Sequence, residues 1–540
     1  MSITTGLRGP VAVLPLVGRQ DSDEAYATGT LLSKLLADHL SGAGLGVVDS
    51  RVLLQHMAAH KYRLPLAGEH AESLKVELKL AAVVQGSYVL DNNGRLLGLQ
   101  LRVDSPDSSP PPIEASTPLD AFPRFVEHIS LALVEALGVS IDDTLRRRVK
   151  QISRPATFEA LRQVALAQAA WGRGQHELAL GAVTSALTLD ESYEEALALQ
   201  IAIARAAGDS DTVRAAFQKW SAGAAKSGRH GQGAARLMLL GHWLHERGDW
   251  TEARRVYDTA RSLYERDGDE VGSARAQNNI ANLDLLGGKL QTAIKVYRRS
   301  LRVFEMYAET QADSAAALLN LALSHRNLGQ IDEAWIAVEQ ALTLARGLKD
   351  SRLEARCLAE RAAIRHERDE WTQAGEDYQR AASLLGALGD AAGMAVVRTH
   401  QALLLKHQGN YQQAEALLLE AASTLGRQPH VHEQAVAWLN LADVYYGMQM
   451  PAEAWSYAER AHRVFERLGS DCAEQSGELL AALARLPVND EPQPAAAGLP
   501  NDEGLYNGTE LYDNELNNSE EDSGDGDAGV NSSVGRTPKM

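Results

Sequence analysis

Two histidines three positions apart, His242 and His245, stand beside Glu246 in a segment with helical spacing. Imidazole and carboxylate groups are common zinc ligands, but a zinc protease motif places its histidines four apart with a glutamate between them. His366 and His407 have no carboxylate or cysteine at a fixed spacing. The sequence therefore predicts no metal site, and the first pair is interpreted as surface or groove residues.

The motifs of nucleophilic and nucleotide chemistry are missing from the sequence. It contains no GxSxG, no CxxC and no GxxxxGK[ST] pattern. The glycine-rich segment 42–46 lacks the GxGxxG spacing and joins a helix to a strand, so it is interpreted as a helix cap. Cys357 and Cys472 are interpreted as buried, reduced thiols. We predict a protein that is not an enzyme and that binds no cofactor.

The charge balance excludes further classes of function. The chain has 540 residues and a net charge of −18, from 71 acidic and 53 basic residues. Nucleic acids and anionic membranes are bound by clustered Lys and Arg, so neither is an expected partner. No apolar stretch approaches the length of a membrane span, and the first residues do not read as a secretory signal. We expect a cytoplasmic location.

The sequence changes composition at residue 487. From there to residue 540 it holds 12 acidic and 2 basic residues, and Asn, Ser, Gly and Pro fill most of the rest. Such a segment cannot bury enough apolar surface to offset its ordering entropy, which predicts a disordered acidic tail. Tethered beside a basic groove, this tail could act as a weak internal competitor for an acidic partner, or it could serve solubility alone.

The segment 151–486 is built from repeats. Eight copies align on a glycine or its substitute, with Gly174, Gly208, Gly248, Gly288, Gly329, Asp369, Gly409 and Gln449 as anchors. The anchors are 34, 40, 40, 41, 40, 40 and 40 residues apart, and small residues recur seven before, five after and twelve after them. Small side chains let helix backbones approach closely, which predicts two antiparallel helices per copy. The segment from Leu468 to Leu486 should form a capping helix.

Several of these copies resemble the tetratricopeptide repeat. The runs Asn279–Asn282, Asn320–Ala322 and Trp438–Ala442 are similar to its first helix, and Gly248–Trp250 is similar to its turn. The period near 40 resembles the long-period subtype of kinesin light chains and bacterial peptide-sensing regulators. The resemblance implies an α-solenoid, a superhelix whose concave face is lined by the first helix of each pair.

The first 150 residues follow another pattern. Short apolar runs at 11–16 and 45–49 predict strands, and residues 82–90 and 95–104 flank a strong hairpin signal at 91–94. Helical spacing covers 24–43, 51–60, 69–79 and 119–137. This order predicts a small α/β domain with a mixed sheet.

The same order resembles the amino-terminal domain of TolB, a binding and assembly module that bacteria often fuse to tetratricopeptide arrays. The residues that carry the resemblance are Val11–Pro15, Leu45–Ser50, Val83–Tyr88 and Glu135–Gly138. It implies no catalytic residues. The predicted organisation is therefore an α/β domain over 1–150, a solenoid over 151–486 and an acidic tail over 487–540.

The predicted function is a scaffold or adaptor that binds protein or peptide segments in the concave groove. The alternatives are a cytoplasmic ligand-sensing regulator whose superhelix changes shape, and a face of merely solvated helix residues. Positions three, six, ten and thirteen before the anchors should line the groove, and they hold His242, His245, Arg275, Asn278, Asn282, Arg326, Arg356, His366, Lys406, Asp443 and Tyr446. Their basic and amide groups suit an extended, acidic peptide. The sequence leaves self-association into a homo-oligomer open.

Overall fold

The protein divides into two compact units, Met1–Trp220 and Ser221–Met540. The computed structural model describes residues 9–486 except 21, 92–94, 106–109, 151, 153–154, 227 and 428–429. The centre of the predicted hairpin turn and the predicted acidic tail lie outside the described residues. Within the described part, no helix has the length and apolarity that crossing a bilayer requires.

The amino-terminal unit begins with a four-stranded mixed sheet, as the sequence predicts. Its strands are β1 (Val11–Val13), β2 (Ala82–Leu90), β3 (Leu96–Asp104) and β4 (Ile113–Pro118), and they lie in this order across the sheet. β1 is parallel to β2, and the other neighbours are antiparallel. The helices of this part are α1 (Asp23–Gly42), α2 (Ser50–Ala59), α3 (Gly68–Glu77), α4 (Phe122–Ala136) and α5 (Asp143–Lys150).

Two features of this sheet differ from the prediction. The prediction of a strand at 45–49 is wrong, because that segment forms only an isolated bridge. In this bridge the backbone N–H of Val11 donates to the carbonyl of Gly46, and the N–H of Val48 donates to the carbonyl of Val11. Strand β4 was not predicted. It is an edge strand that ends at Pro118, a position where proline is tolerated, and its polar sequence lacks a continuous apolar run.

The solenoid consists of helix pairs. They are α6 (Phe158–Gly172) with α7 (His176–Leu189), α8 (Glu194–Ala206) with α9 (Ser210–Lys226), α10 (His230–Glu246) with α11 (Trp250–Asp267), α12 (Glu270–Leu286) with α13 (Leu290–Phe304), α14 (Gln311–Asn327) with α15 (Ile331–Leu348), α16 (Ser351–Glu367) with α17 (Trp371–Ala387), α18 (Ala391–His407) with α19 (Tyr411–Gly426), and α20 (Val431–Gly447) with α21 (Pro451–Leu468). Helix α22 (Cys472–Leu483) follows as the predicted cap. The predicted tetratricopeptide-like arrangement of helices is confirmed.

The turn inside each pair has the same backbone conformation. All eight anchors have a positive φ, which ranges from 60° at Asp369 and Gln449 to 79° at Gly248 and Gly409. Glycine adopts this left-handed region without strain, which is why it dominates the column. The small residues predicted at helix contacts are buried, and Ala322 is completely inaccessible. The register of the repeats is therefore confirmed.

In the amino-terminal unit, the sheet and the first helix pairs share one hydrophobic core. Phe122 of α4 and Phe158 of α6 contact edge to face, with ring centroids 5.4 Å apart. The same core includes Val84 of β2, Leu36 of α1 and Val183 of α7. It thus extends across the position predicted as a domain boundary, between residues 150 and 151.

Candidate functional site

The first helices of successive pairs lie side by side in the carboxy-terminal unit. We call α10, α12, α14, α16, α18 and α20 the inner row, since each contacts the next. All eleven predicted groove residues lie on this row. Asn278, Asn282 and Arg326 are buried, and the other eight are half-buried. None of the eleven is fully exposed.

Polar contacts link each helix of the inner row to its neighbour. In order, Asn279 donates to His242 at 2.7 Å, Arg275 binds Asp313 at 2.7 and 2.8 Å, Asn320 donates to Asn282 at 2.9 Å, Arg326 binds Glu360 at 2.7 Å, His366 contacts His407 at 2.7 Å, and Lys406 pairs with Asp443. The partners are about one repeat apart in sequence. The inner row is therefore joined by polar side chains as well as by apolar packing.

Three of the four cations predicted to meet an acidic peptide, Arg275, Arg326 and Lys406, already bind carboxylates of the chain. Arg326 is the most buried of them, and it contacts both Glu360 and Glu367, the latter at 2.9 Å. Burial raises the pKa of Glu360, and the charge of Arg326 opposes that rise. Arg275 and Lys406 are also paired, so an acidic partner would have to displace internal carboxylates.

A column of asparagines lies where α12 and α14 meet. Asn278 and Asn282 are one turn apart on α12, and Asn320 and Asn327 are two turns apart on α14, so each pair shares a helix face. The Oδ1 atom of Asn282 accepts hydrogen bonds from Asn320 and from the Tyr297 hydroxyl. Within the described part of the chain, Asn278 Oδ1, Asn282 Nδ2 and Asn327 Oδ1 are buried without a hydrogen-bond partner. An unsatisfied buried polar atom costs about 1–3 kcal/mol, so each of these three atoms is a cost to the folded protein.

Two of the groove histidines, His245 and His366, are held in the neutral form. Burial, together with the nearby His242 and His430, lowers the pKa of His245 to about 4. Burial and the neighbouring His407 lower the pKa of His366, also to about 4. Near neutral pH these rings therefore act as hydrogen-bonding and aromatic groups rather than as cations.

The end of the inner row contacts its beginning. We call this contact the seam and define it by Trp250, Leu286, His432, Leu468 and Asp471. The rings of Trp250 and His432 are 5.3 Å apart, and the backbone N–H of Asp471 donates to the carbonyl of Leu286 at 3.1 Å. The turn before Trp250 packs closely against Leu468. A Cβ atom added at Gly248 would lie 2.4 Å from Leu468 Cδ2. The carboxy-terminal unit thus closes on itself.

Three further side chains that the sequence analysis did not single out meet in the amino-terminal unit. They are His56, His60 and Glu77, whose ligand atoms all lie within 4.8 Å of one another. The detectable signal was a pair of histidines four apart on the predicted helix 51–60. Both cysteines are buried as predicted, and burial raises the pKa of Cys357 to about 12.

Comparison with protein families identifies the repeats. Residues 233–306 and 315–347 match models of the tetratricopeptide repeat. These two matches cover α10 to α13 and most of α14 and α15, the part of the inner row that holds the asparagine column. The chain therefore contains tetratricopeptide repeats, whose general role is protein–protein interaction. No curated protein matches the sequence.

Several solved structures share features of the fold at low identity. BtubC from P. vanneervenii is 18% identical over 41% of this chain and 98% of its own, with a TM-score of 0.27. The APC/C hetero-tetramer Cut9–Hcn1 is 16% identical over 67% of this chain and 63% of its own, with a TM-score of 0.37. A signal transduction ATPase with a tetratricopeptide repeat sensor from Pyrococcus horikoshii is 15% identical over 66% of this chain and 49% of its own, with a TM-score of 0.35. These low scores carry no inference about function.

Proposed function

We propose that this protein is a non-catalytic scaffold or adaptor that binds an extended segment of a partner protein along the inner row. The observation that carries the proposal is the set of unsatisfied amide atoms on Asn278, Asn282 and Asn327. A peptide backbone offers an N–H donor and a C=O acceptor at each residue, and a carboxamide can pair with both. Binding such a segment would satisfy atoms that are otherwise a cost to the folded protein.

The side chains of the partner meet cations that are already paired with carboxylates of the chain, at Arg275, Arg326 and Lys406. An acidic side chain would bind Arg275 or Lys406 only by replacing Asp313 or Asp443. Such an exchange conserves the number of ion pairs, so its net gain is small. We therefore propose that backbone recognition by amides supplies the affinity, and that the predicted acidic character of the partner adds selectivity.

The test uses peptides selected for binding to the full chain from a displayed library of unstructured sequences. Replacing Asn278 and Asn282 with Ala together should weaken a selected peptide by about tenfold, since each net hydrogen bond is worth about 0.5–1.5 kcal/mol. The control is Gln413→Ala, an amide removed from the exposed face of α19, where binding should not change. Equal affinities for all three proteins would refute recognition by the asparagine column.

The seam favours a second candidate function, a regulator whose repeats change shape when a ligand binds. The unsatisfied amide atoms are buried, so a ligand can reach them only if neighbouring side chains or helices move. The contacts of Trp250 with His432 and of Leu286 with Asp471 are few enough to open without unfolding a helix pair. Opening of the seam would then change the shape of the unit, and this change would transmit the binding event to the rest of the chain.

This second function can be tested by measuring a distance across the seam. Spin labels on cysteines introduced at the exposed positions Lys289 and Glu474 would flank it, and the two native cysteines are buried. A regulator predicts a longer distance when a selected peptide is added. If the distance stays unchanged while the peptide is bound, the regulator function is excluded and the scaffold function remains.

A further inference from the structure

Three side chains with metal-binding chemistry come together at the ends of α2 and α3. His56 lies in the last turn of α2, and His60 is the C-cap residue four positions later, directly after the helix ends. Their ring centroids are 4.2 Å apart. Glu77 is the last residue of α3, and its Oε2 atom lies 2.7 Å from His56 Nε2. Two imidazoles and a carboxylate thus converge from two helices.

The ring of His60 has the tautomer that a metal ligand needs. Its Nδ1 atom lies 2.9 Å from the backbone carbonyl of His56. A carbonyl can only accept a hydrogen bond, so Nδ1 carries the proton and Nε2 keeps its lone pair. Hydrogen bonding of one ring nitrogen to a backbone carbonyl is the usual way that proteins orient a metal-binding histidine.

The carboxylate of Glu77 is also oriented by its neighbours. The Tyr62 hydroxyl lies 3.4 Å from both of its oxygens. The His56 ring also lies 2.7 Å from one of these oxygens. The carboxylate of Glu77 is therefore held in place by two side chains, from which it can bind a cation.

We propose that His56, His60 and Glu77 form a binding site for zinc or another divalent first-row transition metal. A tetrahedral zinc ion holds its nitrogen and oxygen ligands at about 2.0–2.2 Å, which places the ligand atoms about 3.3 Å from one another. The three atoms already lie within 4.8 Å. A small movement of the side chains would therefore complete the geometry, and the metal would take the place of the proton between His56 and Glu77.

The surroundings define what such a metal would do. His60 and Glu77 are exposed, so the fourth coordination position faces water. The zinc protease motif places a glutamate directly after its first histidine, but here that position is Met57. The site therefore lacks the general base of that motif. Its role is to connect the carboxyl end of α2 to that of α3, which stabilises the folded unit by the free energy of metal binding.

The experiment measures binding of Zn²⁺ to the full chain without an affinity tag, by competition with a chromophoric chelator. The wild type should bind saturably, and His60→Ala and Glu77→Gln should each weaken binding by at least about tenfold. His128→Ala is the matched control, because His128 is an exposed histidine on α4 in the same unit, and it should bind as the wild type does. Circular dichroism checks that each variant is folded.

Co²⁺ provides a second measurement that does not depend on affinity alone. The wild type should show the visible absorption of a tetrahedral Co²⁺ complex, and His60→Ala should lose it. No saturable Zn²⁺ binding by the folded wild type would overturn the proposal. So would equal affinities for the wild type, His60→Ala and Glu77→Gln. None of these results depends on whether the inner row binds a peptide.

Discussion

The ion pair between Arg326 and Glu360 should stabilise the inner row strongly. Both side chains are almost inaccessible, with 1% and 5% exposure, and the closest N–O distance is 2.7 Å. Replacing Arg326 with Met leaves the carboxylate of Glu360 buried without its counter-charge. Removing one partner of a buried pair costs about 3–5 kcal/mol, because the remaining charge stays desolvated. Glu367, the other partner of Arg326, is exposed and can be hydrated instead.

The assay is native-state hydrogen exchange of the amides in α14 and α16. A repeat array does not unfold in one step, so a local opening free energy is better defined than a global one. In Arg326→Met this free energy should fall by about 3–5 kcal/mol. Arg326→Met with Glu360→Leu should recover much of the loss, because no buried charge is left. The control Arg380→Met removes an exposed pair with Glu354, where about 0–1 kcal/mol is expected.

The stability loss in Arg326→Met should depend on pH in one direction. Burial raises the pKa of Glu360 from its usual 4.5, and without Arg326 nothing opposes that rise. A carboxyl whose folded pKa is raised destabilises the fold when ionised, and protonation relieves this cost. The deficit of Arg326→Met should therefore shrink as the pH falls from 7 towards 4.5. A deficit below about 1 kcal/mol, or one that grows on acidification, would refute the reasoning.

Three further predictions concern packing and the seam. Ala322→Leu should overpack a helix contact and lower stability by about 1–3 kcal/mol, seen as a lower melting temperature, while Ala416→Leu on an exposed face should not. Gly248→Ala should destabilise more than Gly409→Ala, since both have a φ of 79° but only the first Cβ would collide with another residue. Burial lowers the pKa of His432 from 6.5 to about 3, so the stability that its neutral ring provides should be lost as the pH falls through this range. His432→Phe should remove that part of the pH dependence of hydrogen exchange at the seam.

The repeat pattern predicted the solenoid well because each recurring type of residue in it is required by the backbone geometry of a helix pair. Each anchor needs a left-handed residue and each helix contact needs a small one, so eight copies repeat the same two requirements. The anchors Asp369 and Gln449 fit the column by position although neither is glycine. Strand β4 was missed because it has no apolar run of its own. It forms an edge strand because it pairs with the neighbouring strand β3.

The sequence predicted which residues lie on the inner row, but it did not predict which side chains they contact. Sequence spacing placed Arg326 and Lys406 on the inner row, but it could not show that carboxylates of the next helices neutralise them. A signal was available nine residues before the anchors, where Asn279, Asn320 and Glu360 form a polar column on otherwise apolar helices. All three are buried. Polar residues repeated at one buried position indicate polar contacts between neighbouring helices.

The size of the seam decides how the two proposed functions relate. The hydrogen bond between Asp471 and Leu286 and the aromatic contact between Trp250 and His432 contribute about 1–3 kcal/mol together, and the packing of Leu468 adds to this. A ligand that must break those two contacts alone binds about 5–150 times more weakly than it would bind an open row. This penalty is small enough for a peptide that satisfies three asparagine atoms to overcome. It is also large enough to keep the unliganded row mostly closed, so the same contacts that limit affinity would make binding detectable elsewhere in the unit.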